Sequence, residues 1–553
     1  MNAKIHTFDF SEAALNEVRD TRHCKNWPVT YLINNQSEIY IGETTDMNRR
    51  AWQHFQNPER KRLKQMRVID DDEFNKSAIQ DLEAFLIENF AADGKFTLQN
   101  GNRGLRQHNY YQRKKYTDGF KEIWKHLQSI GLAEHSLQAI RNSDLFKYSP
   151  YKSLSDDQER TLDALLLDLF EDFRDNKDST YLVRGGAGTG KSVLAIYLIK
   201  LLCDAGHFDE VIATEEPERN KILSGIHRNT NKLKIGFVVP MISFNKTMRM
   251  VFKNVDGLSQ DMVLMPNQVA KTKEKYDLLV VDEAHRLRRR MNLANYSTHD
   301  ENNALLGLGK DGTELDWILK KSHHQIFFYD SGQSVRPTDI QKKRFEELRT
   351  KKQYSLITQQ RCLGGGQYTK YIKSIFSKTP PTKRIDFKNY DLRLYTSPSK
   401  MIDEIRLLDK EWSLCRNIAG FAWPWVSKKD HNKSDITLDG HKYIWNTTNK
   451  DWINSPNSVN EIGCIYTTQG YDLNYAGIII GKDLGYDKYT GKLYVRRDEY
   501  HDMNGKRNAD DDELLEFIMN VYTTICTRGM RGTFIYACDP DVLDYLSQFI
   551  DRY

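Results

Sequence analysis

The sequence predicts an α/β protein in which a small α/β domain precedes two larger units built on parallel sheets. From about residue 154 onward, short apolar runs alternate with helical stretches, a pattern typical of parallel sheets covered by helices on both faces. These runs are too numerous for one sheet, so we expect two stacked units. The runs occupy residues 181–183, 235–239, 278–281, 326–329, 392–395, 418–422, 462–466, 478–480 and 533–537.

The domain boundaries follow from shifts in composition along the chain. We expect a small domain over residues 1–103 and a basic, partly helical connector over 104–150. The first parallel-sheet unit is expected over 151–348 and the second over 349–553. A polar segment near residues 485–513 reads as a surface insertion in the second unit.

The composition excludes several classes of protein. The chain has 553 residues, is 28% charged and carries a net charge of +5. This charge is close to balance for the size of the chain, so the overall charge by itself gives no evidence for a nucleic-acid partner. Seven cysteines form no C-x-x-C pair, which argues against a zinc or disulfide framework. No signal-peptide pattern or membrane-length apolar run is present in the sequence. We therefore expect a cytoplasmic protein without a membrane partner.

The small domain begins with a predicted β-hairpin and a helix. Residues 30–33 and 39–42 are two short strand-like runs joined by a polar turn. A helix is expected to begin after Asp46, a good N-cap residue. Arg50 and His54 are four residues apart on this helix and therefore share one face.

A second helix, predicted over about residues 77–90, carries a carboxylate at the margin of its apolar stripe. This residue is Glu83, and a polar turn follows the helix over residues 99–102. A carboxylate in such a position costs desolvation energy unless a cation compensates its charge. Glu83 is therefore a candidate metal ligand.

These residues resemble the GIY-YIG nuclease family. Tyr31 stands in the first triplet, where Thr30-Tyr31 replaces Ile-Tyr, and Tyr40-Ile41-Gly42 is the second triplet unchanged. Arg50 follows Tyr40 by ten residues, which is the family spacing. His54 stands where a subset of the family has a histidine. The resemblance covers residues 28 to about 103.

The resemblance implies a metal-dependent phosphodiesterase site. Glu83 matches the metal-binding glutamate and Asn100 the final asparagine, with Asn102 as a substitute. The family mechanism then implies one Mg²⁺ or Mn²⁺ held by Glu83 and waters, and Tyr31 as the group that helps to activate the attacking water. Arg50 would stabilise charge on the scissile phosphate. Tyr40, His54 and Asn100 complete the implied catalytic set.

Two alternatives to a nuclease stay open for this domain. In the first, it is a small structural α/β domain with packed tyrosines and solvated Arg50 and His54. In the second, it is an inactive relative that only binds nucleic acid, because the first triplet is imperfect. Glu83 argues against a pure binder, since such a domain has no need of a carboxylate among phosphates.

Local clusters of basic residues are compatible with a path for nucleic acid. They occur over residues 60–67, in the tyrosine-flanked stretch 113–115 and over 286–290. Cations bind backbone phosphates, and tyrosines stack on bases. Runs of charge are also common on solvated faces, so each cluster alone is a weak signal.

The first large unit carries a phosphate-binding loop between a strand and a helix. The run 181–183 leads into Gly-Gly-Ala-Gly-Thr-Gly-Lys-Ser, and residues 193–202 read as a helix. This G-x-x-x-x-G-K-S pattern predicts backbone N–H groups around the phosphates of a nucleoside triphosphate. Lys191 is expected to reach the β- and γ-phosphates and Ser192 to ligate Mg²⁺. The glycines expected in the cradle are Gly185, Gly188 and Gly190.

A pair of carboxylates follows a later strand of the same unit. The run 278–281 leads directly into Asp282 and Glu283. Because ligands bind at the carboxyl ends of parallel strands, this pair is expected beside the phosphate-binding loop. Asp282 is expected to hold Mg²⁺ through water, and Glu283 to orient and deprotonate the attacking water.

Further segments resemble superfamily 1 helicases and the helicase-like domain of Schlafen-type proteins. The resemblance covers residues 154–541 and implies two RecA-like domains. It departs from the family in the insertion after Leu484 and in the lack of large accessory domains, which puts strand separation in doubt. The matched positions are Gln158 as adenine reader, Gln333 as γ-phosphate sensor, Arg361 in motif IV, residues 467–472 in motif V, and Arg528 and Arg531 in motif VI. Arg361 and Arg528 would stabilise transition-state charge on the γ-phosphate.

Together these patterns predict an ATP-hydrolysing nuclease that cleaves nucleic acid, DNA more readily than RNA, under the control of a helicase-like motor or switch. The implied cofactors are ATP and Mg²⁺, with Mn²⁺ as an alternative in the nuclease domain. The architecture favours bacterial anti-phage defence, with self-association or a second defence protein as a further partner. An RNA-directed enzyme and a nucleotide-dependent sensing module with an inactive nuclease domain are the rival hypotheses.

Overall fold

A computed structural model describes residues 2–18, 25–100, 110–205, 217–230, 233–293, 295–333, 336, 338–428, 430, 433–448, 452–468, 471–507 and 509–553. The chain divides into two compact units. Unit 1 comprises residues 1–175, 192–233 and 247–262, and unit 2 comprises 176–191, 234–246 and 263–553.

A five-stranded, mostly antiparallel sheet organises the N-terminal part of unit 1. Its strand order is β1-β4-β2-β3-β5, and the predicted hairpin is confirmed as β2 and β3. Strands β1, β4 and β5 were not predicted, and β4 overlaps the basic stretch, where charged residues interrupt the apolar pattern. The strands are β1 (Lys4–Asp9), β2 (Val29–Asn34), β3 (Glu38–Thr44), β4 (Gln65–Asp70) and β5 (Thr97–Leu98).

Three helices accompany this sheet, and capping residues fix where two of them begin. The Asp46 side chain accepts a hydrogen bond from Arg49 N at 3.1 Å, as expected for an N-cap. Asn75 caps the next helix in the same way, and Gly94, with φ of 73°, ends it. The helices are α1 (Glu12–Val18), α2 (Met47–Gln56) and α3 (Lys76–Asp93).

The predicted connector folds as three helices, of which the first packs against α3. These helices are α4 (Arg113–Ser129), α5 (Leu137–Asn142) and α6 (Asp144–Lys147). The ring of Trp124 on α4 lies 4.9 Å from that of Phe90 and 6.4 Å from that of Phe85 on α3. Arg113 also pairs with Asp81 of α3 at 3.1 Å. Helix α4 therefore shares an apolar and ionic interface with the small domain.

Unit 1 also contains a pair of helices that an arginine joins. These are α7 (Asp156–Asp175) and α9 (Pro217–Thr230), and between them in sequence comes α8 (Lys191–Asp204). Arg219 of α9 contacts Glu159 and Asp163 of α7, each at 2.6 Å.

The first sheet of unit 2 has six parallel strands in the order β11-β6-β10-β9-β7-β8. The strands predicted near residues 181, 235, 278 and 326 are confirmed. The strands are β6 (Ser179–Gly185), β7 (Ile235–Val238), β8 (Val263–Leu264), β9 (Tyr276–Val281), β10 (Ser322–Tyr329) and β11 (Lys352–Leu356). The helices that follow them in the chain are α10 (Ile242–Lys253), α11 (Pro266–Ala270), α12 (Tyr296–Leu305), α13 (Glu314–Lys320) and α14 (Lys342–Glu346).

The second sheet of unit 2 has five parallel strands in the order β12-β20-β17-β13-β16. Two antiparallel hairpins, β14–β15 and β18–β19, stand outside it, and the second lies in the predicted insertion. The strands are β12 (Asp391–Leu394), β13 (Arg416–Ala419), β14 (Ile436–Leu438), β15 (His441–Tyr443), β16 (Ile462–Cys464), β17 (Leu473–Ile480), β18 (Leu484–Asp487), β19 (Lys492–Val495) and β20 (Gly529–Ala537). The helices are α15 (Gly365–Ile375), α16 (Pro398–Trp412), α17 (Ile465–Thr468), α18 (Met503–Lys506), α19 (Asp511–Cys526) and α20 (Pro540–Ser547).

The predicted α/β class with parallel sheets is confirmed, with two local corrections. The run 462–466 is a strand only to Cys464, and α17 begins at Ile465; the run 418–422 is a strand only to Ala419. Apolar composition alone does not separate a short strand from the start of a buried helix. In the part of the chain that the structure describes, no helix has the length and apolarity needed to span a bilayer.

Candidate functional site

The glycine-rich loop after β6 folds around the amine of its own lysine. Lys191 is 6% exposed, and its Nζ donates hydrogen bonds to the carbonyls of Gly185 and Gly186, both at 2.9 Å. Gly188 and Gly190 have φ of 77° and 76°, in the left-handed region that other residues rarely adopt. The loop therefore has the conformation that its glycines predict.

A line of polar contacts runs from this lysine to the end of α19. Lys191 Nζ lies 3.8 Å from the carboxylate of Asp330, which follows β10. The Gln333 amide donates to the same carboxylate at 2.6 Å, and its oxygen accepts from Arg528 at 3.3 Å. Arg528 is 2% exposed. Three of the predicted site residues (Lys191, Gln333 and Arg528) are thus brought together through Asp330, to which the sequence assigned no role.

The carboxylate pair follows β9 on the same sheet. Asp282 is fully buried, and its Oδ1 accepts from Glu283 N at 2.9 Å. Glu283 has φ of 49°, and its carboxylate lies 2.9 Å from His285 Nε2. The Nδ1 atom of His285 accepts from Asp330 N at 3.4 Å. His285 was missed as a site residue, although Asp-Glu-Ala-His was visible in the sequence as a polar end to an apolar strand.

Three neighbouring side chains hold Glu283 in its ionised form. Burial of this side chain alone would raise its pKa. His285, Lys191 and Arg528 together outweigh that effect and hold the pKa of Glu283 well below its usual value. Glu283 is therefore an ionised carboxylate at neutral pH, the protonation state that a base for water requires.

Arg361 lies after β11 and forms an ion pair with Asp472. Both side chains are 17% exposed. Asp472 belongs to the predicted motif V, of which residues 469 and 470 lie outside the described residues.

The remaining residues predicted for the nucleotide site take no part in the contacts of Lys191, Asp330, Gln333 and Arg528 described above. Gln158 is fully buried in unit 1, and its side-chain oxygen accepts from Ser155 N at 2.9 Å. Ser192 is the second residue of α8 and is half-buried. Arg531 stacks on the ring of Trp412 at 3.7 Å and contacts Asn474 at 3.4 Å. These contacts of Arg531 are with residues other than Lys191 and Glu283.

A cavity of about 350 Å³ in unit 2 is lined by arginines and aromatic side chains. Arg286 pairs with Asp339 at 2.7 Å, and Arg336 stacks on Tyr466 at 3.5 Å. We call it the arginine-lined cavity, and its walls include Arg286, Arg288, Arg336, Trp425, Tyr466, Thr467 and residues 240–243. Arg290, in the same basic cluster, pairs instead with Asp300 at 2.6 Å.

In the small domain, Tyr31 and Tyr40 of the two predicted triplets form a cluster with residues of α2. Tyr31 Oη lies 2.6 Å from His54 Nε2 and accepts from Arg50 Nε at 3.2 Å. The ring of Tyr40 lies 4.7 Å from that of His54. Arg60, which the sequence did not single out for this site, covers Tyr40 with its guanidinium 3.9 Å from the ring centroid.

Arg60 fixes the tautomer of His54. Its guanidinium donates to His54 Nδ1, and because arginine has no acceptor, that nitrogen carries no hydrogen. The hydrogen of neutral His54 is then on Nε2, which donates to Tyr31. Burial raises the pKa of Tyr31 well above its usual value, Tyr40 and Glu83 add to the effect, and Arg50 opposes it.

Glu83 and Asn100 border this cluster. Glu83 is buried on α3 and influences the pKa of Tyr31, so the two side chains share surroundings. The Asn100 amide accepts from Ile41 N at 3.0 Å and donates to Ile41 O at 2.7 Å, which ties β3 to the segment after β5. A Cβ added to Gly42 would lie 2.3 Å from Tyr31 Oη, so only glycine fits there. Asn102 lies outside the described residues.

The donor sets fit a hard divalent cation that keeps water ligands. Asp282 offers a buried carboxylate in unit 2, and Glu83 offers one in unit 1. No group of three or more His, Cys, Asp or Glu side chains that could hold a metal occurs among the residues the structure describes. Mg²⁺ usually binds one or two carboxylates together with waters and substrate phosphates, so such sparse sets suit it.

Comparison with known proteins shows the family. Residues 178–539, more than half of the chain, match the family model for the Schlafen group 3, DNA/RNA helicase domain. An uncharacterised protein of Saccharomyces cerevisiae is 25% identical over 462 residues, which cover 77% of this chain and 97% of the yeast protein. The chain therefore belongs to the Schlafen group 3 helicase-domain family, and the predicted helicase-like P-loop NTPase is confirmed.

Solved structures with similarity to the chain include Pif1 helicases. Pif1 helicases at forked double-stranded DNA give a TM-score of 0.26 at 10% identity, over 69% of this chain and 92% of theirs. Bacteroides Pif1 with ADP-AlF3 and single-stranded DNA gives 0.25 at 11% identity, over the same shares of the two chains.

Proposed function

We propose that this member of the Schlafen group 3 helicase-domain family is an ATP-driven nuclease. The helicase-like NTPase controls cleavage of nucleic acid, DNA in preference to RNA, by the small domain of residues 1–103. The observation that carries the nuclease assignment is the buried cluster in which Tyr31 accepts hydrogen bonds from Arg50 and His54, with Glu83 in the same surroundings.

The proposed domain order follows the chain. Residues 104–150 connect the nuclease domain to a first RecA-like domain over 151–348, and a second one covers 349–553 with its insertion near 485–513. The interface between α4 and α3 supports a connector that moves with the nuclease domain.

ATP hydrolysis is proposed to use the residues that surround Glu283. Lys191 binds the β- and γ-phosphates, Glu283 takes a proton from the attacking water, and Gln333 senses the γ-phosphate. Arg528 and Arg361 stabilise charge in the transition state. Gly185, Gly188 and Gly190 shape the cradle, Gln158 reads the adenine, and Arg531 is a further nucleotide contact. Ser192 and Asp282 would hold Mg²⁺, which neutralises phosphate charge when bound.

Nucleic acid is proposed to bind along the arginine-lined cavity. Three guanidinium groups from two segments of the chain converge there with Trp425 and Tyr466. Guanidinium groups bind phosphates, and aromatic rings stack on bases without strong sequence preference. By contrast, Arg113 and Lys115 of the connector already pair with Asp81 and Glu73, so we assign them to the interface of α4.

Phosphodiester cleavage is proposed to use Tyr31 as the group that helps to activate the attacking water by a hydrogen bond to it. Burial raises the pKa of Tyr31 and keeps the phenol neutral, and the hydrogen bonds from Arg50 and His54 fix the position of its oxygen. Glu83 would hold Mg²⁺ or Mn²⁺, which supplies a Lewis acid at the scissile phosphate. Tyr40 packs against His54, and Asn100 holds β3 in place.

An RNA substrate is the second candidate, because the family model is described for DNA and RNA helicases alike. The test is incubation of the purified protein with Mg²⁺, with and without ATP, on plasmid, linear and single-stranded DNA and on RNA. We expect cleavage of DNA that increases with ATP and disappears in Glu83→Ala. Nucleic-acid-stimulated ATP turnover without cleavage of any substrate would refute the nuclease and favour a sensing module.

A role in cytoplasmic defence against foreign DNA, as in bacteria, is the proposed setting. Bacteria that express the protein should resist phage infection, and those that express Lys191→Ala should not. Equal phage titres on both strains would argue against this setting and leave the enzymatic assignment to the cleavage assay.

A further inference from the structure

The segment that carries Arg361 lies beside the phosphate-binding loop because of the strand order. Strand β11 pairs in parallel with β6, and Leu356 is opposite Gly185. Parallel neighbours end at the same edge of the sheet. The loop that follows β6 and the residues that follow β11 therefore start side by side, although more than 160 residues separate them in the chain.

One glutamine side chain joins the two segments. The Gln359 Nε2 donates to the carbonyl of Ala187 at 2.6 Å, within the phosphate-binding loop. Its Oε1 accepts from Arg361 N at 2.8 Å. The backbone adds a third contact, in which Gln360 N donates to Gly188 O at 2.9 Å.

The approach is close enough to exclude a side chain from the loop. A Cβ added to Gly188 would lie 2.0 Å from Gln359 Oε1 and 2.8 Å from the Cβ of Arg361. Gly188 also has φ of 77°, so a substitution there would be strained as well as obstructed. The phosphate-binding loop therefore needs glycine at position 188 so that residues 359–361 can pack against it.

We infer that Gln359 is a positioning residue that holds the backbone of Arg361 in register with the phosphate-binding loop. This inference rests on the proposed role of Arg361 in ATP hydrolysis. The guanidinium of Arg361 pairs with Asp472, so its backbone is held by one side chain and its charge by another. An arginine that acts on transition-state charge must be placed before the reaction, because ordering it during the reaction costs rate.

The side chain of glutamine is suited to bridging the Ala187 carbonyl and the Arg361 backbone N–H. It presents one donor and one acceptor on a single planar group, and Gln359 uses both, one toward Ala187 and one toward Arg361. Glutamate has no donor for the Ala187 carbonyl, and its charge would be placed among phosphates. Asparagine is shorter by one methylene group and cannot make both contacts from the same backbone position.

The test compares Gln359→Ala with Arg361→Ala and with the double variant. We expect Gln359→Ala to lower kcat for ATP hydrolysis by roughly tenfold or more, with ADP affinity unchanged, because Arg361 acts on the γ-phosphate that ADP lacks. In the Arg361→Ala background the same change should have little further effect. Gln360→Ala is the matched control, since its side chain is exposed and the substitution keeps its backbone N–H.

The outcomes separate this inference from the proposed function. If Arg361→Ala lowers kcat and Gln359→Ala does not, or if the two losses multiply in the double variant, Gln359 does not act through Arg361. If Gln359→Ala weakens ADP binding, its role is to support the loop, and the inference is wrong. If Arg361→Ala leaves kcat unchanged, the role of Arg361 fails and the inference fails with it. Melting temperatures identify any variant that fails to fold, and Gln359→Asn, which is neutral but cannot make both contacts, then takes its place.

Discussion

Replacement of Arg528 by alanine tests the nucleotide site most directly. The Arg528 guanidinium is 2% exposed, donates to Gln333 Oε1 at 3.3 Å and lowers the pKa of Glu283. It comes from the end of α19, whereas Glu283 and Gln333 follow strands of the first sheet of unit 2. A residue in this position can act on charge that develops at the γ-phosphate.

The expected loss is large in rate and small in affinity. An arginine of this kind contributes roughly 10³-fold or more to turnover in related NTPases, which corresponds to about 4 kcal/mol of barrier. The substitution also leaves the Gln333 oxygen without this donor, which costs about 1–3 kcal/mol of stability. A modest fall in melting temperature should therefore accompany a nearly complete loss of turnover.

Steady-state ATP hydrolysis and equilibrium binding of ATP and ADP measure the two effects separately. We expect kcat to fall and nucleotide affinity to change little. Arg528→Lys keeps the charge but not the planar donor geometry, so its kcat should lie between those of the wild type and Arg528→Ala. If affinity falls while kcat is untouched, Arg528 is a ground-state or structural residue, and Arg531 becomes the candidate.

Three further predictions concern other residues. Lys191→Ala should abolish ATP hydrolysis without loss of fold, and near-normal ATP turnover in this variant would contradict the role of Lys191 as a phosphate ligand. Glu283→Gln should bind ATP but hydrolyse it far more slowly. Glu83→Ala should remove metal-dependent cleavage while ATP hydrolysis survives, with an unchanged or raised melting temperature; a marked drop in melting temperature with cleavage retained would show a structural carboxylate. Burial raises the pKa of Asp483 in the folded protein to about 7, despite the 2.7 Å hydrogen bond that its carboxylate accepts from Tyr522. The protonated side chain therefore stabilises the fold at low pH, and this contribution is lost as the pH rises from the pKa of the unfolded chain through about 7. The free energy of unfolding of Asp483→Asn, relative to that of the wild type, should therefore increase by roughly 2–3 kcal/mol between about pH 5 and pH 8 in denaturant titrations. A difference that does not change with pH would contradict the raised pKa of Asp483.

The features that the sequence predicts well are those set by neighbours along the chain. The strand, glycine-rich loop and helix around Lys191 are encoded within about twenty residues, and the structure has the predicted strand and helix. Helix α2 of the small domain begins after its predicted cap, Asp46, for the same reason. Local periodicity and capping carry this information without knowledge of the tertiary fold.

Contacts between distant segments could not be predicted in this way. His285 was visible beside Glu283, but its bond to Asp330 depends on β9 and β10 being neighbours in the sheet. Gln359 likewise reaches Ala187 across 172 residues, because β11 and β6 are neighbours in the sheet. No spacing rule in a single sequence reports such pairs, because strand order decides them.

The surroundings of Glu283 connect the chemistry of hydrolysis to the geometry of unit 2. Lys191 comes from the phosphate-binding loop, His285 from the same turn as Glu283, and Arg528 from the far end of α19. Coulombic effects weaken with distance, so the pKa of Glu283 depends on how near Arg528 lies. Any motion that carried Arg528 away would raise that pKa and also remove the cation that faces the γ-phosphate in the proposed mechanism. Glu283 would stay ionised at neutral pH after such a displacement, because His285 and Lys191 lower its pKa more than Arg528 does. In the proposed mechanism the second sheet would therefore control ATP turnover on the first through the cation that it brings to the γ-phosphate.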